Sequence, residues 1–227
     1  MKQCIVNTSD KDVVNKINSL GYTCNSVIPS HRVSSPISAH SDVLYRKVNS
    51  NTIICSDCQK PNLSLLKENR YNVIFIDKIQ PGYKTESFLN FIINDKYIIR
   101  NEKTALKLED TGNRKLINVR QGYTSCSTLC VTDDAYITDD DNIYNTLISN
   151  KIDCLLISKG NIDLPGYDYG FIGGASVKLN ETEILFFGDF ENKTEKNNVI
   201  KFLEKYNIKA LFIENKKLTD IGSALIL

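Results

Sequence analysis

The sequence predicts an α/β ring: five ββαβ units set as the blades of one propeller and closed by pairing of the two chain ends. Three observations carry this reading. An apolar strand ending in a polar or acidic turn recurs as NTIICSD (51–57), DKYIIRN (95–101), DAYITDD (134–140) and EILFFGD (183–189). Each is followed by a helix-like stretch and a second apolar strand, NVIFI (72–76), KLINV (115–119), DCLLI (153–157) and KALFI (209–213). The two ends are halves of one more copy. QCIVNTSD (3–10) with CNSVI (24–28) lacks a first strand, and DIGSALIL (220–227) is a first strand with nothing after it. A period of roughly 40–50 residues marks supersecondary units that cannot bury their apolar faces alone. A copy shared between the termini favours a closed circle.

The elements follow in order. KDVVNKINSLG (11–21) is the helix of the first unit, LSLLKENR (63–70) of the second and TALKLED (104–110) of the third, the last being short and ending near Gly112. In the fourth unit SCSTLCVT (125–132) is β-rich, Asp133-Asp134 is a turn and AYIT (135–138) returns. Asp139, Asp140 and Asp141 can cap the helix at 142–151, because a short acid accepts hydrogen bonds from the free N–H groups of a first turn. Ile143, Leu147 and Ile148 mark its inner face. In the fifth unit, Val199, Phe202, Leu203 and Tyr206 of KNNVIKFLEKYN (196–207) follow the spacing of an amphipathic helix. A doubly wound sheet would not supply a two-strand run before each helix. A four-stranded propeller blade would carry no helix.

Composition narrows the function. The chain has 227 residues, 41% apolar and 24% charged, which suits one domain over 1–227 with a sizeable core. Lys plus Arg is 28 against 27 for Asp plus Glu, so there is no basic field for nucleic acid. No apolar run reaches the roughly 18–20 residues of a membrane span, and MKQCIVNTSD reads as a strand rather than a signal peptide. A cytoplasmic location is the expectation, and oligomeric state leaves no trace in the sequence. Seven cysteines fall mostly in strands, where cysteine behaves as a small hydrophobe. Cys55 and Cys58 have C-x-x-C spacing. Zinc would need a second pair or well-placed histidines, and His31 and His40 are the two histidines of the chain. No metal or other cofactor is expected.

Function should sit on the loops between units, 28–42, 77–87, 120–126, 159–174 and 214–223. The segment at 159–174 is the most unusual, with Gly166, Gly170, Gly173 and Gly174 interleaved with Tyr167, Tyr169 and Phe171. Its tyrosines are expected to pack over the ring.

With its five ββαβ units, and with GYTSCST, GYDYGFIGGAS and the terminal DIGSALIL, the chain resembles the pentein superfamily of arginine deiminases, dimethylarginine hydrolases and amidinotransferases. It is similar to a bacterial family of this guanidine-modifying-enzyme fold for which no substrate is established. The resemblance implies a cysteine, a histidine within H-x-D and an acidic residue at one mouth of the channel. His40-Ser41-Asp42 supplies the H-x-D, and Cys126, after Gly122 and before Ser127 and Thr128, matches the nucleophile about two blades later. One blade before His40, across the chain ends, Asp220 takes the place of the acid. The chain departs from the family where Asp220 is shorter than the usual Glu, Ser223 replaces a second acid, and Phe171-Ile-Gly-Gly-Ala175 has lost both acids of an F-E-G-G-D-like stretch.

These residue types suit one chemistry. A guanidinium carbon is a poor electrophile, so attack needs a thiolate. Carboxylates pair bidentately with the planar N–H groups and hold the carbon over the sulfur. The expected roles are Cys126 as nucleophile, His40 as acid and base, and Asp220 and Asp42 as guanidinium anchors. Arg32 or Arg120 could hold a substrate carboxylate. Deiminase, dihydrolase and transferase outcomes share the first step. The competing class is a binding ring without turnover, facing a ribosome or a protein, since one pentein class is a translation factor.

Overall fold

The computed structural model describes residues 2–227 and forms five three-stranded sheets among them. In chain order the strands are β1 (Lys2–Val6), β2 (Tyr22–Ser26), β3 (Tyr45–Asn49), β4 (Thr52–Ser56), β5 (Asn72–Ile76), β6 (Ile92–Ile93), β7 (Tyr97–Arg100) and β8 (Lys115–Asn118). They continue as β9 (Thr128–Thr132), β10 (Ala135–Thr138), β11 (Asp153–Leu156), β12 (Ser176–Asn180), β13 (Glu183–Phe186), β14 (Lys209–Leu211) and β15 (Ala224–Ile226). The helices are α1 (Lys11–Ser19), α2 (Ser41–Leu44), α3 (Leu63–Glu68), α4 (Tyr83–Glu86), α5 (Asp141–Ser149) and α6 (Lys193–Glu204).

Each blade repeats one rule. An inner strand pairs antiparallel with a central strand, and the central strand pairs parallel with an outer one across a crossover. In the first blade the inner strand is β15, which joins β1 with Cys4 opposite Ile226 and Val6 opposite Ala224. Strands from the two ends of the chain thus close the ring. Apolar clusters straddle the blade boundaries. Cys4, Val6, Val13 and Ile17 of the first blade pack on Val177, Leu185 and Phe187 of the fifth. Leu129 and Ile137 of the fourth pack on Ile184 and Phe186 of the fifth. Fully burying such side chains contributes about 1.5–3 kcal/mol each, and much of it is collected between blades rather than within one.

The helices start where short acids and amides stop them fraying. Asp10 accepts from the Val13 amide at 3.1 Å, Asp140 from Ile143 at 2.9 Å, and Asn192 from Thr194 and Glu195 at 2.9 and 3.1 Å. Each cap stabilises by about 1 kcal/mol. Of the three acids at 139–141, only Asp140 is the cap; Asp139 turns inward and is buried. Ile143 and Leu147 face the core as expected, whereas Ile148 is 45% exposed. The third unit differs from expectation. Residues 104–110 form no helix, because the Leu106 amide pairs with the Phe88 carbonyl and the Arg100 guanidinium takes the Leu106 carbonyl. Short helices α2 and α4 occupy loops that the sequence leaves irregular. No helix among the described residues is long and apolar enough to cross a membrane.

Candidate active site

Every blade sends the segment just before its inner strand to the same mouth of the ring. Asp220 to Gly222 precede β15, His40 to Asp42 lead into β3, Asn90 precedes β6, Cys126 precedes β9 and Phe171 to Gly174 precede β12. Cys126, His40 and Asp220 line one cavity of about 410 Å³.

Cys126 is buried, and its Sγ–H donates to Asp42 Oδ2 at 3.0 Å. Asn90 Nδ2 donates to the same sulfur at 2.8 Å. Asn90 is fully buried and does more: its Oδ1 accepts from the backbone amides of Ser125 and Cys126 at 2.8 and 3.1 Å. One side chain therefore sets both the backbone and the sulfur of the nucleophile candidate. Burial pushes the Cys126 thiol well above its ordinary value, and the Asp42 and Asp220 charges push the same way. The Asn90 hydrogen bond opposes them.

His40 stands between two acids. Its Nδ1 lies 3.9 Å from Asp42 Oδ1 and 3.7 Å from Asp220 Oδ1. Asp220 is anchored by two backbone amides, Phe171 at 3.0 Å on Oδ2 and Gly222 at 2.9 Å on Oδ1. Burial raises it to about 6; the His40 ring and the two amides pull it down, and Asp42 pushes it up. Asp42 spans thiol and imidazole, since its Oδ2 takes the sulfur while its buried Oδ1 has no hydrogen-bond partner. A buried carboxylate oxygen left without a donor is costly, unless a ligand supplies one.

Glycines bring the backbone close enough to build this. Gly222, at φ +80°, lies against His40, and a Cβ there would sit 2.3 Å from the His40 Cβ. A Cβ on Gly174 would fall 2.0 Å from Asp220 Oδ1. The amides of Gly173 and Gly174 instead donate to the Cys126 carbonyl at 2.7 and 3.2 Å.

Arg46 forms the floor behind the thiol. Its guanidinium donates to the Leu89 carbonyl at 2.8 Å, the Asp42 carbonyl at 3.1 Å and Ser125 Oγ at 2.6 Å, tying three blades together. Neither substrate-binding arginine expected from the sequence reaches the cavity. Arg32 pairs with Asp57 at 3.2 Å and with the Asp77 carbonyl, and Arg120 is exposed with its backbone held by Asn142 and Asn101. Tyr167 and Tyr169 do cover the ring, as expected, by lining this cavity. Cys55 is buried in β4, and Cys58 Sγ rests between Ser56 Oγ and Gln59 Nε2.

Asn90, Arg46 and Glu86 were not singled out in the sequence. One signal for Asn90 was present: it stands two residues before its inner strand, as Cys126 does before β9.

A family model described as "Family of unknown function (DUF6873)" matches residues 4–225. The chain belongs to that family. No curated protein matches the sequence. Among solved structures, the chain is similar to SxtG, an amidinotransferase from Microseira wollei in the saxitoxin biosynthetic pathway, with a TM-score of 0.58 at 12% identity over 92% of this chain and 74% of that one. It is also similar to dimethylarginine dimethylaminohydrolase from Pseudomonas aeruginosa complexed with citrulline, at 0.57 and 10% identity over 100% and 99%. Agmatine deiminase of C. jejuni matches at 0.53 and 11% identity over 94% and 78%. The fold is therefore the pentein α/β propeller, and the neighbours in structure are guanidino-modifying enzymes.

Proposed function

We propose that this protein is a cysteine-dependent enzyme acting on a small guanidino or amidino compound through a covalent Cys126 intermediate. The observation that carries the reading is the Asp42 carboxylate, with one oxygen on the thiol and the other, without a hydrogen-bond partner, near the same His40 nitrogen that Asp220 approaches.

In this reading the resting thiol stays protonated, because two carboxylates and burial disfavour a further anion. A bound guanidinium reverses that balance. A cation about 4 Å from the sulfur contributes about 4 kcal/mol at an effective dielectric near 20, which is about three pK units. Asp42 and Asp220 hold its N–H groups, and as the sulfur bonds to the guanidinium carbon the Cys126 proton passes by way of Asp42, which touches both groups, to His40. The tetrahedral adduct expels one nitrogen as an amine, protonated by His40. Water, deprotonated by His40, then attacks the thiouronium carbon and the C–S bond breaks, returning the thiolate; an amine acceptor in place of water gives transfer.

The test is labelling with 2-chloroacetamidine followed by peptide mapping. Cys126 is expected to react well ahead of the other six cysteines, and His40→Ala to slow it. Uniform reactivity across all seven would leave a binding ring as the better description.

A further inference from the structure

Resting on that reading, we infer that the substrate carries no carboxylate: the cavity is built for a guanidino or amidino group on an apolar or cationic tail. The walls show why. The base holds His40, Cys126 and Asp220. Above them Ile37, Val43 and Leu164 make an apolar side. Tyr83, Tyr123, Tyr169 and Phe171 make an aromatic one, in edge contacts of 5.5 Å between Tyr83 and Tyr123 and 5.8 Å between Tyr169 and Phe171.

The charged groups of this cavity are acids apart from the imidazole. Glu86 is buried in the wall with both oxygens occupied, Oε1 by the Ser34 amide and hydroxyl at 2.6 and 2.8 Å and Oε2 by the Tyr123 hydroxyl at 3.0 Å. Asp168 is exposed at the rim beside Tyr167. No arginine or lysine lines the cavity among the described residues. Lys159 lies over the Tyr169 ring at 5.1 Å but lines a neighbouring cavity with Asp139 and Glu195. Arg46 is spent on Leu89, Asp42 and Ser125 behind the thiol.

A substrate carboxylate would enter this space against Asp168, Glu86 and Asp220 with no cation to meet it, and like-charge juxtaposition in a recognition site costs several kcal/mol. An ammonium or alkyl tail meets no such penalty. Tyrosine faces and the rim acid favour a cation, and the aliphatic wall favours a methylene chain. The pocket thus selects between guanidino compounds of one length by the charge at their far end.

The experiment is protection of Cys126 against 2-chloroacetamidine by four competitors: butylguanidine, agmatine, 4-guanidinobutyrate and arginine. Butylguanidine and 4-guanidinobutyrate differ chiefly in the carboxylate. Butylguanidine and agmatine should halve the labelling rate at concentrations at least about tenfold below those of the two carboxylated compounds. Equal or better protection by 4-guanidinobutyrate or arginine overturns the inference, and so does fast labelling that none of the four slows. Both outcomes leave the reactive-thiol reading intact. That reading fails separately, if Cys126 is labelled no faster than the other cysteines without competitor. A second variant probes the rim. Asp168→Arg, at an exposed position, should shift the ratio of the two protection constants toward 4-guanidinobutyrate by about threefold. An unchanged ratio counts against the rim charge as a selector, and with it the inferred cationic tail.

Discussion

The two mouths of the ring are built from the same inner strands and differ in almost everything else. The mouth with Cys126 collects the segments that precede those strands, which are loops and short helices of different lengths. The opposite mouth, a cavity of about 610 Å³, is lined largely by strands and the turns between them. Its charges are mixed: Lys47, Arg114 and Lys178 stand with Asp95, Asp133 and Glu181. The front mouth concentrates acids around one imidazole. Asp42 and Arg46 line the opposite cavity, and Asp42 reaches from there to the Cys126 sulfur and the His40 ring. A repeated scaffold can hold a costly charge cluster at one end, because strand pairing at the other needs none of those residues.

The largest expected effect separates two thiols of one blade. Cys126→Ala should abolish amidine labelling of the site and any turnover, whereas Cys130→Ala, at the opposite mouth, should leave both unchanged. Loss of labelling in the second variant would mean the two mouths are not independent. Asn90→Ala comes next. It strips the donor from the Cys126 sulfur and the acceptor from the Ser125 and Cys126 amides, so stability should fall by about 1–3 kcal/mol, read by denaturant melts, and labelling should slow about tenfold or more.

A pair of reagents sharpens the electrostatic contrast. The raised Cys126 thiol should react slowly with neutral iodoacetamide near pH 7 and faster only as pH rises, while cationic chloroacetamidine should react readily at neutral pH. With Asp220 raised to about 6, the amidine rate should fall as pH drops below 6, because protonation removes an anchor for the cation. Identical pH profiles for the two reagents would remove the case for charge pairing at the front mouth.

A smaller effect concerns stability. Burial raises Asp139 to about 8, partly opposed by its hydrogen bond from the Ile172 amide, and its Oδ1 has no partner. An acid raised in the folded state costs nothing below about pH 4, where both states are protonated. Stability is then lost as pH rises toward 8, because the unfolded chain ionises first. Asp139→Asn should therefore raise the Tm at pH 8 by several degrees and have little effect at pH 4, as read by thermal melts at both values. Smallest of all, Lys178→Ala at the opposite mouth should change stability by no more than about 0.5 kcal/mol and leave labelling untouched.

Much of the ring was legible because its signals are local and periodic. Strand boundaries from Thr52 to Ser56 and from Asn72 to Ile76 fall where short continuous apolar runs are bounded by Ser, Asp and Asn. The caps Asp10 and Asp140 stand where short acids precede amphipathic spacing. The false helix at 104–110 has the same kind of local pattern, and it lost to a tertiary hydrogen bond from Leu106 to Phe88. For the site, Cys126, His40 and Asp220 could be picked out because their motif neighbours are themselves written in the chain, and the three line one cavity. Arg32 and Arg120 had charge but no spacing to place them, and both point elsewhere. Asn90 and Arg46 carry no motif. Their importance is a matter of which carbonyls, amides and sulfur they meet across blades.

Periodicity and composition alone thus determined that the chain closes into five α/β blades with strands from its two ends paired, because apolar spacing and turn chemistry act over a few residues at a time. Which side chains share a charge was decided only when the ring closed. The thiol, the imidazole and the two carboxylates come from three blades, and their proton affinities depend on distances and burial that exist nowhere along the chain.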